Sequence, residues 1–127
     1  MEKILVMVKP DGIEAKIIGL TLSEIEYANL KVTRLEQRKL SKEEAEALYA
    51  EYKGKDFFDR NIDHIISGPV VLIEVEGDMA VNQCRQMIED FRHRFVNVIK
   101  LPKNLLHATS DPARASVELE AVFGKIS

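Results

Sequence analysis

The stretch PVVLIEVEG, residues 69–77, begins with a proline, continues through four apolar residues and ends at a glycine. Apolar side chains at consecutive positions are typical of a strand that is buried on both faces. This stretch therefore predicts a strand at the centre of a sheet. A second apolar run, KILVMV at residues 3–8, stands before the Pro-Asp-Gly of residues 10–12 and predicts another buried strand followed by a sharp loop.

Two further strands are predicted elsewhere in the chain. The segment LKVTRLEQRKL, residues 30–40, has alternating character, and RFVNVIKL, residues 94–101, is a candidate for the last strand. His107 follows an apolar pair and precedes a loop of small residues. We therefore expect this histidine at the end of a strand or in a loop, and not inside an element.

Helices are predicted between the strands and after the last one. Ser41 and Glu44 have the spacing of a capping box, and Asn29 stands where a C-terminal cap is expected. Asp111 and Pro112 suit the N-cap and the first position of the final helix. The predicted helices, the third of which is a short helix or two, begin near Ile17, Ser41, Asp56, Asp78 and Asp111.

The order of these elements is strand, helix, strand, helices, strand, helix, strand, helix. Two βαβ-like halves with helices on one face predict an α+β fold of the ferredoxin-like type, a βαββαβ sandwich with a four-stranded antiparallel sheet and additional helices. No linker, repeat or low-complexity tract divides the chain, so residues 1–127 are expected to form a single domain.

The composition excludes several classes of protein. With 46% hydrophobic and 31% charged residues and a net charge of −3, the chain is neither disordered nor suited to wholesale nucleic-acid binding. No stretch reaches the length of a membrane span, and the start of the chain does not have the pattern of a signal peptide. The single cysteine, Cys84, excludes an internal disulfide and fits a reducing compartment, so we expect the cytoplasm.

One segment of this acidic protein is basic. Residues 91–110 contain no Asp or Glu but do contain Arg92, Arg94, Lys100 and Lys103. The segment indicates either an anionic ligand nearby or simply a solvated face.

His107 and Glu118 form the candidate catalytic pair. Glu118 shares a predicted helical stripe with Ala115 and Leu119, and a carboxylate on such a stripe needs a partner. A carboxylate on one ring nitrogen fixes the tautomer of a histidine and leaves the other nitrogen free as a base or nucleophile. The residues alone leave a second interpretation open, in which His107 is structural and Glu118 faces solvent.

The whole chain, from about residue 3 to residue 123, resembles the nucleoside diphosphate kinases. The resemblance is carried by four motifs in the order of that family: VMVKPDG at 6–12, LYAEYKGKDFF at 48–58, SGPVV at 67–71 and NLLHATSDP at 104–112, followed by a helix with a glutamate. It implies a ferredoxin-like fold and transfer of the γ-phosphoryl group from a nucleoside triphosphate to a diphosphate through a phosphohistidine.

The resemblance also implies roles for individual residues. His107 matches the nucleophile of the family and Glu118 the carboxylate that orients it. Magnesium is expected to arrive on the nucleotide phosphates and not in a protein cage, and the protein is expected to be a homo-oligomer, at least a dimer. The remaining matches are Lys9 on the phosphates, Tyr49 in the pocket, Phe57 stacking on the base, Arg85 and Arg94 as cations, and Asn104 at the sugar and phosphate end.

The chain departs from the family between Arg85 and Arg94. This segment is several residues shorter than in the family, and QMIEDFRHR, residues 86–94, stands where a phosphate-contacting threonine and a glycine-rich turn are expected. Arg92 could supply a substitute cation. The shortened loop leaves two alternatives open: a catalytically weakened nucleotide-binding relative with a regulatory or structural role, and a regulatory domain that binds another small molecule.

Overall fold

The fold is built on an antiparallel sheet. The computed structural model describes the backbone of residues 1–99 and 105–124 and the side chains of residues 1–94 and 105–124. In these residues the strands are β1 (Glu2–Val8), β2 (Lys31–Arg38), β3 (Val70–Gly77) and β4 (Leu106–Ala108). They lie in the order β2-β3-β1-β4, and each neighbouring pair is antiparallel. This is the strand order of the ferredoxin-like fold, as predicted.

The central strands are the two with continuous apolar sequences. Residues 4–8 of β1 and 70–75 of β3 are all buried, which confirms that PVVLIEVEG and KILVMV are core strands. The two strands pair along their whole length, from Glu2 opposite Gly77 to Val8 opposite Val71.

The helices cover both faces of this sheet. Within the described part of the chain they are α1 (Pro10–Glu14), α2 (Ile18–Tyr27), α3 (Lys42–Leu48), α4 (Phe58–Ile65), α5 (Ala80–Ile99) and α6 (Pro112–Phe123). Helices α2 and α5 pack with Ile4, Val6 and Val8, whereas α3, α4 and α6 pack with Leu5 and Met7 on the opposite face. The helices of the two βαβ-like halves, α2 and α5, thus share one face as expected, and the additional helices cover the other face, because a strand with no polar face needs apolar cover on both sides.

The last strand is not where the sequence predicted it. Residues 94–99 continue helix α5, and the fourth strand is Leu106–Ala108. A short apolar run is compatible with a strand or with a helix, and this one forms the end of a helix. His107 is consequently the middle residue of β4, opposite Met7 of β1, and not at the end of an element. Asn104 and residues 100 and 101 lie outside the described residues.

The predicted caps are confirmed. Ser41 accepts a hydrogen bond from the Glu44 N–H and the Glu44 carboxylate accepts one from the Ser41 N–H, and Asp111 accepts one from the Ala113 N–H. Asn29 has a φ of 63°, the left-handed conformation of a residue that follows a helix. The expected sharp loop at residues 10–12 is instead the short helix α1, which starts with a proline.

Two contacts set the relative positions of the elements that carry the candidate site. The Arg38 guanidinium donates to both carboxylate oxygens of Glu44, at 2.8 and 2.6 Å, and to the carbonyl of Val122 at 2.6 Å, which links β2, α3 and α6. At Gly12 a β-carbon would lie 2.5 Å from the carbonyl oxygen of Leu105. The glycine thus lets α1 pack closely against the chain just before β4.

Candidate active site

The centre of the site is a histidine held by a buried carboxylate. Nε2 of His107 lies 3.1 Å from Oε1 of Glu118, and Glu118 is 1% exposed. An ionised carboxylate only accepts hydrogen bonds, so Nε2 carries the proton of this contact and a neutral ring keeps its lone pair on Nδ1. The geometry agrees with the expected pairing and leaves Nδ1 as the reactive nitrogen.

Thr109 completes the support of the carboxylate. Its hydroxyl donates to Oε1 of Glu118 at 2.8 Å and accepts from the N–H of Leu5 in β1 at 3.0 Å. Its own N–H donates to the carbonyl of Leu5 at 3.0 Å. Oε1 of Glu118 therefore accepts hydrogen bonds from two donors, the imidazole and a hydroxyl that is anchored to β1.

A cavity of about 230 Å³ lies beside His107 at the β4 edge of the sheet. Three of its side chains are cationic, and Glu89 is the one acidic side chain among the described lining residues. A cavity with this charge suits an anion such as a phosphate chain. The lining residues are Lys9, Tyr49, Tyr52, Arg85, Ile88, Glu89, Arg92, Leu106, His107, Ala108 and Ser110.

Lys9 is the buried cation of the cavity. It follows β1 directly, its N–H donates to the carbonyl of Leu105 at 3.0 Å, and only 7% of the residue is exposed. Burial lowers the pKa of Lys9 to about 8; the carboxylate of Asp11 opposes this shift and the Arg92 cation adds to it. Asp11 is itself held by Nε2 of His64 at 3.0 Å, a contact that links α4 to α1.

Tyr49 lies between the lysine and the histidine. Its ring meets the His107 imidazole edge to face with a centroid separation of 5.4 Å, and Nζ of Lys9 lies 6.0 Å from its centroid. Burial raises the pKa of the Tyr49 hydroxyl, and the nearby Glu118 adds to this rise, so the group remains a hydrogen-bond donor. The hydroxyl oxygen is buried and has no hydrogen-bond partner among the described residues.

Phe57 reaches the site through a second tyrosine. Its ring centroid lies 5.6 Å from that of Tyr52, which lines the cavity and lies 6.1 Å from Tyr49. Phe57 is half-buried and does not itself belong to the described cavity lining.

The structure brings five of the eight predicted site residues together: His107, Glu118, Lys9, Tyr49 and Arg85. Asn104 lies outside the described residues. Arg94 is not among the described lining residues; its guanidinium lies 5.7 Å from the ring centroid of Phe91.

Sequence reasoning missed Thr109 and Tyr52. The signal for Thr109 was its position two residues after His107, because alternate residues of an extended chain point to the same face. The signal for Tyr52 was its place three residues after Tyr49, since side chains at that spacing are neighbours on a helix.

No helix of the described residues has both the length and the apolar character of a membrane span. These residues also contain no group of three or more His, Cys, Asp or Glu side chains that could hold a metal ion. A larger cavity of about 530 Å³ lies along α6 and contains none of the predicted site residues.

Comparison with known proteins identifies the family. The family model "Nucleoside diphosphate kinase" matches residues 2–127. The nucleoside diphosphate kinase of Ignicoccus hospitalis is 39% identical over 133 residues, which cover 97% of this chain and 89% of that protein. That of Saccharolobus islandicus is 34% identical over 98% of this chain and 96% of its own.

A solved structure agrees in fold. The halophilic nucleoside diphosphate kinase from Halobacterium salinarum, determined in complex with CDP, superposes with a TM-score of 0.83 at 31% identity over 98% of this chain and 88% of its own. The family model, the sequence identities and the shared fold agree with the observed site, in which a paired histidine and carboxylate lie beside a cationic cavity. This chain therefore belongs to the nucleoside diphosphate kinase family of phosphotransferases.

Proposed function

We propose that this chain transfers the γ-phosphoryl group of a nucleoside triphosphate to a nucleoside diphosphate in two steps, through a phosphohistidine on Nδ1 of His107. The observation that carries the proposal is the contact of Nε2 of His107 with the buried Glu118 at 3.1 Å, in a ring that lines a cationic cavity. The proton on Nε2 and the lone pair on Nδ1 are those that a nucleophilic imidazole needs.

In the first step the Nδ1 lone pair attacks the γ-phosphorus. A nitrogen–phosphorus bond forms, the bond from that phosphorus to the β,γ-bridging oxygen breaks, and the nucleoside diphosphate leaves with the electron pair. The positive charge that the ring gains is stabilised by the Glu118 carboxylate on Nε2. In the second step a β-phosphate oxygen of another diphosphate attacks the phosphorus and restores the free imidazole.

The cations hold the phosphate chain for this attack. Phosphoryl transfer asks for an in-line nucleophile and for positive charge around the transferring group, with little other covalent chemistry from the protein. Lys9, at the end of β1, and Arg85, on helix α5, both line the cavity and supply that charge. The hydroxyl of Tyr49 is buried and has no hydrogen-bond partner among the described residues, and we propose that it donates to a phosphoryl oxygen.

The base, the sugar and the remaining cation are assigned by resemblance. We propose Phe57 as the stacking ring, and its contact with Tyr52 at the cavity supports this. Such stacking tolerates every base, so broad nucleotide specificity follows. The CDP bound by the Halobacterium salinarum relative supports a nucleotide as the ligand. Arg94 and Asn104 stay predictions as a phosphate-binding cation and a contact at the sugar and phosphate end.

Magnesium is proposed as a companion of the substrate. Three cationic side chains and one carboxylate, that of Glu89, are among the described residues that line the cavity. Such a lining suits the phosphates of a nucleotide and does not suit a bare metal ion. When bound, Mg²⁺ neutralises part of the phosphate charge.

Three further expectations from the sequence are also proposed. The chain forms a single domain, assembles as a homo-oligomer of at least two chains and is located in the cytoplasm.

The test is labelling with γ-labelled ATP and magnesium. We expect acid-labile, alkali-stable label on the wild-type protein and on an Arg60→Gln control, which changes an exposed side chain of α4. We expect none on His107→Ala. Label that persists in His107→Ala, or that never forms on a folded wild-type protein, contradicts the proposal.

A further inference from the structure

Helix α5 presents one stripe of side chains to the cavity. Arg85, Ile88, Glu89 and Arg92 all line it, and their spacing of three, four and seven residues is that of one helical face. Helix α5 runs without interruption from Ala80 to Ile99. Arg92 therefore lies on the same helical face as Arg85, two turns and about 10 Å further along the helix axis.

Arg94 belongs to a different face of the same helix. Two residues rotate a helix by about 200°, so Arg94 points away from the stripe that carries Arg92. Its contact with the ring of the core residue Phe91 agrees with this direction. The cation that the family resemblance implies, Arg94, and the cation that lines the described cavity, Arg92, are thus two different arginines.

Arg92 is incompletely paired within the described residues. Its Nε is buried and has no hydrogen-bond partner there. The one ion pair found for it in that part of the chain joins Nη1 to Oε1 of Glu89 at 3.7 Å, and the Glu89 side chain is 68% exposed. A contact of this length and exposure is weak. The guanidinium can therefore donate to a further acceptor in the cavity.

The neighbouring Lys9 indicates what kind of acceptor suits Arg92. Arg92 is among the groups that lower the pKa of Lys9, which places two like charges close together at a partly desolvated site. Such an arrangement is unfavourable without an anion and favourable with one, because a phosphate satisfies both cations at once.

We propose that Arg92 donates a charge-assisted hydrogen bond to a phosphate of the bound nucleotide, as a substrate-binding residue of this chain. The inference rests on the proposed function of the cavity as the nucleotide site. It assigns to the shortened segment a contact that the family resemblance did not identify.

The experiment compares Arg92→Gln and Arg92→Lys with the Arg60→Gln control. ADP binding is measured by calorimetry, and phosphohistidine formation by single turnover with ATP. Loss of a charge-assisted contact predicts ADP binding about 10- to 100-fold weaker in Arg92→Gln, with partial recovery in Arg92→Lys. Inhibition by adenosine, which has the base and sugar but no phosphate, is expected to stay as in the wild type.

The outcomes separate this inference from the function on which it rests. Unchanged ADP binding in Arg92→Gln, or equal losses for ADP and adenosine, overturns the role of Arg92 even when phosphohistidine forms normally. If the wild type binds ADP but forms no phosphohistidine, the proposed function fails, and the ADP series still decides whether Arg92 contacts a phosphate. If Arg92→Gln does not fold, ADP binding that is weaker in folded Arg92→Lys while adenosine inhibition is unchanged supports the inference, and unchanged ADP binding overturns it.

Discussion

Nε2 of His107 and Oε1 of Glu118 lie 3.1 Å apart, and the carboxylate is anchored by Thr109 to the central strand of the sheet. The pair joins β4 to α6 across eleven residues of chain. This one contact fixes which ring nitrogen is protonated, and with it which nitrogen can attack phosphorus.

Replacing Glu118 by glutamine tests the charge of that contact. The amide keeps the volume but removes the negative charge, and its NH₂ can donate to Nε2 and so favour the wrong tautomer. We expect phosphohistidine formation to slow by about 100-fold or more, within the range for loss of electrostatic or acid–base support. Single-turnover labelling measures the rate. A wild-type rate in folded Glu118→Gln contradicts the assigned role.

Replacing Thr109 by valine tests the anchor. Valine has the same shape but no hydroxyl, so the Leu5 N–H loses its partner, whereas Oε1 of Glu118 loses one of two donors and keeps the His107 imidazole. A buried unsatisfied group costs about 1–3 kcal/mol, and we expect the free energy of unfolding in urea to fall by that amount. Thr109→Ser keeps the hydroxyl and is the matched control. Equal stability of the valine and serine variants argues against the anchor.

Replacing Lys9 by methionine is expected to stabilise the fold while it impairs the enzyme. The pKa of Lys9 falls from its ordinary 10.5 to about 8, so the buried charge costs on the order of 3 kcal/mol below pH 8. We expect the Lys9→Met protein to gain about 1–3 kcal/mol at pH 7 and to lose most of its phosphotransfer activity. A lower free energy of unfolding in Lys9→Met contradicts this prediction and means that Lys9 stabilises the fold.

The same lysine predicts two opposite pH dependences. Between pH 8 and 10.5 the unfolded chain binds more protons at Lys9 than the folded chain does, so the contribution of this residue to the free energy of unfolding rises with pH over that window.

Nucleotide binding needs the charged form of Lys9, so kcat/KM is expected to fall as pH rises through about 8. Arg92 lowers this pKa, and Arg92→Gln should move the alkaline limb to higher pH. If the alkaline fall in kcat/KM does not move in Arg92→Gln, the ionisation that causes it is not that of Lys9.

Replacing Tyr49 by phenylalanine tests the unpartnered hydroxyl. In the free protein this buried oxygen makes no hydrogen bond among the described residues, so its removal should leave the melting temperature unchanged or slightly higher. If the hydroxyl donates to the phosphoryl group, the single-turnover rate falls by roughly 10-fold. A rate equal to the wild type assigns Tyr49 to packing against His107 alone.

The parts of the fold that sequence predicts well are set by local signals. The capping box of Ser41 and Glu44 and the Asp111 cap depend on residues two or three apart, and both formed as expected. Strand β3 was identifiable as central because its apolar run leaves no face for water. The pairing of His107 with Glu118 was one of two interpretations that the residues left open, and the family resemblance favoured it.

The parts that the sequence misjudged or left open depend on contacts between distant residues. Nothing local decides whether residues 94–99 extend a helix or form a strand, and the direction of Arg94 follows from that choice. Thr109 acquires its role from Leu5, which is 104 residues away in the chain. The cover on the second face of the sheet likewise depends on where α3, α4 and α6 pack.

The central claim is that Glu118 holds Nε2 and leaves Nδ1 to receive the phosphoryl group. Treating the protein with ATP and magnesium and identifying the phosphorylated ring nitrogen by nuclear magnetic resonance tests it most directly. The account predicts a phosphoryl group on Nδ1 of His107, transferable to an added nucleoside diphosphate. A phosphoryl group on Nε2, or a folded and nucleotide-binding protein in which His107 stays unmodified, contradicts it.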